Sequence, residues 1–477
     1  MTGKKIKLFL FIISFLLLVP AAPSLVKSSE IQAVPKVTNL HLVKKYYKKI
    51  SLKWKRVPNA HHYQVRVLKK KNNQYRLIKK VRAEKRKKTV KNLKSGKAYY
   101  FRVRAKRNGH WGKYSKRLRV KTKTKSNPGD LIEPADLEYK GAFRVPDYDG
   151  NYEIGWEWGG QALTYTGSNS LIGTGHPYNL YFSEISIPQP VISNDKNLSD
   201  LNTADTVQNF SPVVNGLIDV STLEIPRIGI EYLDNKIYFA LGQHFQETDD
   251  KTHGYANFNL SNPNSQGLWR LKDRSPYSTN DYMFKTIDNK LASGRFRDGG
   301  WSGMGPSLFE FDPDYDSNID NTTLLLYESS EDCYENCQIM DNYHHSDEWV
   351  GGAWLESGDS SAVIFAGTKG EGECWYGNED GPCMECDNRG WWSTSFTGQI
   401  LFYDPTDLEK VASGEMESFE PQPYNTLDID DYLFNVTSTQ QKHHLSSVAY
   451  NPNGNYLYVM EYLADNDKPL VHVWKIN

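Results

Sequence analysis

Charge is sorted along this chain so strongly that a single uniformly built domain is excluded. Residues 31–126 carry 34 Lys and Arg against one acid, Glu84, a balance of +33. Residues 127–477 carry 19 bases against 55 acids, a balance of −36. The first 30 residues add 4 bases and 1 acid, so the whole 477-residue chain sums to zero. Two blocks of opposite sign imply a basic module followed by an acidic one. The chain also holds 30 Tyr, 19 Phe and 12 Trp beside 35 Gly and 22 Pro. Many rings and turn residues, with no long amphipathic pattern, predict an all-β protein of short strands.

The N-terminus reads as an export signal. Lys4, Lys5 and Lys7 precede the apolar run Leu8–Val19, and Pro20 and small residues follow. This is the three-part pattern of a secretory signal peptide. As a helix the run spans about 18 Å, short of a ~30 Å hydrocarbon core. Residues 1–29 are expected to be removed, leaving a secreted or cell-envelope-associated protein with no transmembrane span.

Residues 34–124 alternate apolar and basic positions in seven short strands, from VTNLHLV to RLRVKTK. Such a pattern fits a two-sheet sandwich. Trp54 in ISLKWKRV, Tyr63 in HHYQVRV, and Leu93, Gly96 and Tyr99 in LKSGKAYYFRVRA carry a more specific signal. The stretch resembles a fibronectin type III domain. The resemblance implies a buried Trp54, an inward Tyr63, and a tyrosine corner at Tyr99 with Gly96 allowing the turn. It implies a spacer or adhesion module without catalytic residues. The +33 charge admits a solvated surface, docking on the acidic module, or attachment to a cell-envelope polyanion. Export argues against nucleic acid as the partner. Residues 125–134 read as a linker.

Residues 135–477 repeat a unit of strand, turn, strand, loop and strand. Copies open near residues 159, 226, 282, 351 and 444. That repeat predicts a β-propeller, five blades favoured, with six or seven compatible if 186–222 or 405–440 hides another. Lys140–Pro146 has no blade of its own and is expected to close the ring on the C-terminal blade. The segment is similar to propeller-like domains of secreted bacterial proteins of unassigned activity, a likeness that brings no functional residues with it.

In a propeller, residues just before each first strand line the channel mouth. Here these are Glu157 and Trp158, Arg227, Tyr282, His345 with Glu348 and Trp349, and His443 with His444. Rings that stack and charges that orient suit a sugar or another polar ligand. The plainer alternative is a plug of residues bonded to one another. A second set recurs at the ends of second strands: His176, His244, Arg295 with Arg297, and Lys369. These would form an anion site or share a structural role.

Cys333, Cys337, Cys374, Cys383 and Cys386 crowd the fourth copy. Export favours disulfides, at most two with one thiol over, above a zinc cluster of the same spacing. Asp312, Asp314, Asp316, Asn318 and Asp320 alternate with the oxygen density of a Ca²⁺ loop, but lack an EF-hand's Gly and Glu. Ca²⁺ is the one candidate cofactor, with a solvated acidic turn as the alternative. Asp465 and Asp467 form a smaller cluster of the same kind. No nucleophile elbow, HExxH helix, P-loop or dinucleotide fingerprint occurs.

The favoured function is a non-enzymatic extracellular binding or adhesion protein that recognises a glycan or protein through the propeller. The alternative is a glycoside hydrolase or lyase at the channel mouth, with Glu157 and Glu348 about 5–10 Å apart as acid and base.

Overall fold

A computed structural model describes residues 33–45, 49–71, 74–94, 96–122, 131–247, 249–295, 302–315, 317–329, 338–377 and 389–477. The export signal, most of the linker, Arg297, Asp316 and four of the five cysteines lie outside the described residues. The chain divides into two units, the first ending at Val120 and the second comprising Lys121–Asn477 together with the short segments Lys45–Ile50 and Lys91–Lys97. No described helix is long and apolar enough to cross a membrane.

The first unit has two sheets. One holds β1 (His41–Lys45), β2 (Ile50–Lys53) and, introduced out of order by its pairing, β5 (Lys87–Val90), which follows β3 (His62–Lys71) and β4 (Gln74–Ala83) in the chain. The other runs β4–β3–β6–β7, with β6 Ala98–Arg107 and β7 His110–Trp111, and β8 (Leu118–Lys121) also pairs β6. Alternation explains the core. Ile50, Leu52 and Trp54 are buried from one sheet, and Tyr63, Val65, Val67, Phe101, Val103 and Ala105 from the other. The Trp54 and Tyr63 rings meet edge to face at 5.4 Å, and the Val57 N–H donates to the Tyr63 hydroxyl at 3.0 Å. Tyr99 is buried and Gly96 takes φ 61°, the conformation its turn needs.

The second unit is built from five four-stranded antiparallel sheets. It begins with β9 (Leu137–Arg144). The first sheet is β10 (Leu163–Tyr165), β11 (Ser170–Thr174), β12 (Phe182–Ser186) and β13 (Thr206–Ser211). The second is β14 (Arg227–Leu233), β15 (Lys236–Gly242), β16 (His253–Asn257) and β17 (Gln266–Trp269). The third is β18 (Tyr282–Lys285), β19 (Leu291–Gly294), β20 (Leu308–Phe311) and β21 (Asn321–Leu325). The fourth is β22 (Glu348–Ser357), β23 (Ser360–Tyr376), β24 (Trp391–Tyr403) and β25 (Asn425–Asp428). The last is β26 (Leu445–Asn451), β27 (Tyr456–Asp465) and β28 (Lys468–Ile476), with β9 as its fourth strand. The pairing of Leu470 with Arg144 and of Ile476 with Leu137 covers the edge that β28 would expose.

First strands adjoin one another in cyclic order: β10 with β14, β14 with β18, β18 with β22, β22 with β26, and β26 with β10. Glycine permits this closeness. A Cβ on Gly229 would fall 2.3 Å from the Tyr282 backbone, and one on Gly351 would fall 2.8 Å from Val448. Apolar side chains between sheets form the core, as where Ile172 and Phe182 of the first sheet meet Ile230 and Phe239 of the second. Among the described residues there is one α-helix, α1 (Pro405–Ser413), which starts on an Asp404 cap that accepts from the Thr406 N–H at 2.7 Å and ends at Gly414 with φ 75°.

The repeat pattern predicts GLWRLKD as the third strand of the second copy, but the strand that covers its start, Gln266–Trp269, is the fourth. The third is His253–Asn257, too short and polar to announce itself. His253 is buried there, with Thr252 Oγ1 and Ser293 Oγ each 2.8 Å from a ring nitrogen, and burial pushes its pKa down to about 3. Residues 186–222 and 405–440 hold β13, α1 and β25, and no further sheet occurs there among the described residues.

Candidate functional site

Strand register gathers the two sets of candidates. Arg227 pairs Gly242, Tyr282 pairs Gly294, Glu348 pairs Thr368, and Leu445 pairs Glu461. Residues that precede a first strand and residues that follow a second strand therefore share one end of each sheet.

At that end three sheets bring charges together around Glu348. His443 Nδ1 lies 2.7 Å from Glu348 Oε2. Burial pushes the Glu348 carboxyl up, but His443, Lys442 and Arg227 outweigh it and hold it well below the usual carboxylate range. Tyr462 joins the group, its ring 6.4 Å from His443, and its phenol is pushed up by burial. His443 takes φ 60° and keeps 43% of its side chain exposed. It forms the open edge of the cluster.

An aromatic ribbon adjoins the cluster. The β23–β24 ladder runs past Thr368–Gly398 as far as Tyr376–Trp391. His345 stacks on Trp391 at 4.4 Å, Tyr376 meets Trp391 edge-on at 5.4 Å, and Lys442 Nζ sits over Trp392 at 4.9 Å. Burial lowers the His345 pKa. Trp391, Trp392 and Tyr376 were not singled out from sequence, although WW beside a cysteine-rich loop was a visible signal.

Other candidates have internal roles. Trp349 is 0% exposed and belongs to the core with Tyr282, Phe365 and Tyr403, which corrects its placing as a ligand contact. Its neighbour Glu348 faces the cluster instead, because alternation sends adjacent residues to opposite faces. His444 is buried between Asp430 Oδ1 and the Gln441 carbonyl, each at 2.8 Å. Arg295 is 2% exposed, donates to the His244 carbonyl at 3.1 Å, and lies 3.5 Å from Asp281. The His244 ring packs on Phe245 at 4.5 Å. Lys369 bonds Asp347 at 2.8 Å, and burial pushes that carboxyl up to about 6 against the pull of Lys369. His176 is buried beside Tyr178, and burial lowers its pKa against Glu153 and Glu157. Trp158 is 44% exposed, its N–H bonded to the Asp467 carbonyl at 2.6 Å. Glu157 and Glu348 thus answer to different neighbours, one to His176 and the other to His443.

No group of three or more His, Cys, Asp or Glu is placed to hold a metal ion among the described residues. Asp312, Asp314 and Asp320 are exposed, and Asp320 lies 3.8 Å from Lys272. Ile319, next to Asp320, pairs with Leu271, and Asp316 lies outside the described residues. Asp465 is buried against Arg144, not in an oxygen cluster. Cys374, half-buried opposite Ser393 in β23, makes no disulfide within the described residues. Cys333, Cys337, Cys383 and Cys386 lie outside them.

A small pocket in the second unit is lined by Glu231, Phe284, Lys285, Trp354, Glu356 and Tyr450, among others. Burial pushes the Glu231 carboxyl up to about 7, against Lys285 and the Thr164 hydroxyl that donates to it at 3.1 Å. Sequence reading passed over it, though an acid in the apolar strand IGIEYL was the signal. A raised folded-state pKa adds stability that is complete below about 4.5 and is lost as pH rises through about 7. Glu231→Gln is expected to match the parent in urea unfolding at pH 4. At pH 8 it should exceed the parent by on the order of 2 kcal/mol.

Residues 35–121 match the model of the fibronectin type III domain family. Among solved structures the chain is similar to the fn3 domain of human collagen alpha-1(XX) chain, at 21% identity and TM-score 0.18, covering 22% of this chain and 97% of that one. It is similar to the FN5 domain of Drosophila Lar at 17% identity and TM-score 0.17, covering 19% and 98%. It is similar to FN3tt at 18% identity and TM-score 0.17, covering 19% and 97%. No curated protein matches the chain.

Proposed function

From a chain that carries a fibronectin type III domain at residues 35–121, we propose an exported, non-enzymatic binding or adhesion protein. Its second unit is a five-bladed β-propeller that takes a glycan or an extracellular protein at the end where the first strands begin. Five sheets with cyclically adjoining first strands, and a last sheet completed by β9, support the propeller reading. The binding reading rests above all on the convergence of Arg227, Glu348 and His443 from three sheets beside β24, where Trp391 and Trp392 stand on opposite faces. Fixed charges orient a polar ligand, and ring faces receive the apolar face of a sugar.

A glycan array on the full chain, with the soluble phase followed by mass spectrometry, tests this. Retention of a glycan without product is expected. His443→Ala and Trp391→Ala should each weaken that retention by tenfold or more at a temperature where both variants remain folded, although loss of His443 strips the buried Glu348 carboxylate of a partner and should lower melting. Retention that neither substitution alters would remove the site from this end of the unit. Release of product would favour the second reading, a carbohydrate-active enzyme. The raised Glu231 carboxyl in a pocket shared with Glu356 would then carry the acid role, and Glu231→Gln should abolish release.

A further inference from the structure

The outward face of the β4–β3–β6–β7 sheet is made largely of cations and rings. Alternation turns Tyr63, Val65, Val67, Phe101 and Val103 inward, so Arg66 on β3 and Arg102 and Arg104 on β6 point out. Register sets Lys80, Arg66 and Arg102 directly opposite one another on three neighbouring strands, and Arg82, Gln64 and Arg104 in the next row. Like charges placed opposite one another cost a sheet stability. The usual remedy is an interposed acid. Residues 31–126 hold only Glu84, which lies 3.8 Å from Arg82.

Rings separate the guanidinium groups instead. Tyr114 lies under Arg66 at 4.4 Å, Arg104 at 4.7 Å and Arg102 at 5.6 Å. Trp111 lies under Arg104 at 4.5 Å and Lys106 at 5.6 Å. Hydrogen bonds set the planes. Arg104 Nε donates to Gln64 Oε1 at 3.1 Å, Arg102 Nε to the Ser115 carbonyl at 3.0 Å, and the Tyr114 hydroxyl to Gln64 Oε1 at 2.7 Å. The forks are held in place, and the module supplies them with no carboxylate.

We infer that this face binds a linear phosphodiester polymer that carries no bases. A guanidinium fork matches two phosphate oxygens at once, which an ammonium group does not. Strands about 4.8 Å apart, with same-face residues about 7 Å apart along each, set the backbone positions of these cations in rows that an extended polyanion can follow. Binding also relieves the repulsion within each row. Tyr114 and Trp111 both lie under guanidinium groups, so the rings serve first to hold the forks, and comparison with single-stranded DNA separates this polymer from a stacked nucleic acid. The inference stands apart from the site on the second unit, so either can fail alone.

The test is binding of the full chain to immobilised poly(glycerol phosphate) across a salt series. Arg66→Gln, Arg102→Gln and Arg104→Gln combined should weaken binding tenfold or more and reduce the salt slope by about 2. Lys53→Gln, Lys85→Gln and Lys87→Gln combined remove the same charge from outside this face. They should weaken binding less than threefold. Melting of the arginine variant should hold or rise, since like-charge rows are relieved. Equal losses in the two variants would overturn the inference by reducing it to net charge. Tighter binding of single-stranded DNA than of the base-free polymer would overturn it, as would no binding at low salt.

Discussion

Replacing Trp349 by alanine is expected to destabilise the second unit by about 3–5 kcal/mol, the range for emptying a buried tryptophan site. The indole is 0% exposed and packs with Tyr282, Phe284, Trp354, Phe365 and Tyr403, side chains drawn from the third and fourth sheets. The cavity would therefore open between two sheets, where neither can collapse alone. Trp349→Phe should cost much less. It keeps most of the ring contact and deletes an indole N–H that is buried without an acceptor. Urea unfolding of the full chain, followed through the transition of the second unit, measures both. An alanine variant that melts like the parent yet no longer binds ligand would return Trp349 to a surface role.

The second large effect is expected at the closing strand. Asp465 is 0% exposed, and Arg144 on β9 grips it with two donors, Nε at 2.8 Å and Nη2 at 3.1 Å. Lys468 lies 3.4 Å away on the other side. Arg144→Met leaves a buried carboxylate with half its compensation and should cost about 3 kcal/mol. Adding Asp465→Asn should restore part of the loss, because the penalty is the orphaned charge rather than the lost pair. A double mutant no better than the single would show that Arg144 acts through packing. The same pair ties the strand after the linker to the penultimate strand of the chain, so loss of it should also loosen β9 in hydrogen exchange.

Much of the architecture was legible. Period-2 alternation around Trp54, Tyr63 and Tyr99 sufficed for the sandwich, because both of its sheets bury one face and alternation is the direct image of that burial. First and second strands of each repeated sheet were legible for the same reason. The fourth strands of the first and fourth sheets were not, whereas β9, the fourth strand of the last sheet, was expected to pair with the C-terminal strands and does. Thr206–Ser211 and Asn425–Asp428 lie at sheet edges, half or fully exposed, and carry no burial pattern to read. Among the candidates, Arg227, Glu348 and His443 were placed by one rule, that residues before a first strand share an end. The rule put Trp349 in the same place, and a single step of alternation took it into the core.

The boundary between a basic and an acidic unit, the all-β class and the starts of the first strands can be read directly from the order of the residues. Charge counts and periodicity are local properties, and a local pattern is enough to state them. The partner of each buried charge was decided only by the tertiary structure. His443 meets Glu348 from 95 positions away, and Arg144 meets Asp465 from 321. Nothing within either neighbourhood of the chain specifies those pairs. They exist because neighbouring sheets bring distant strand ends together, and because a buried ion must find a counter-ion wherever the fold supplies one.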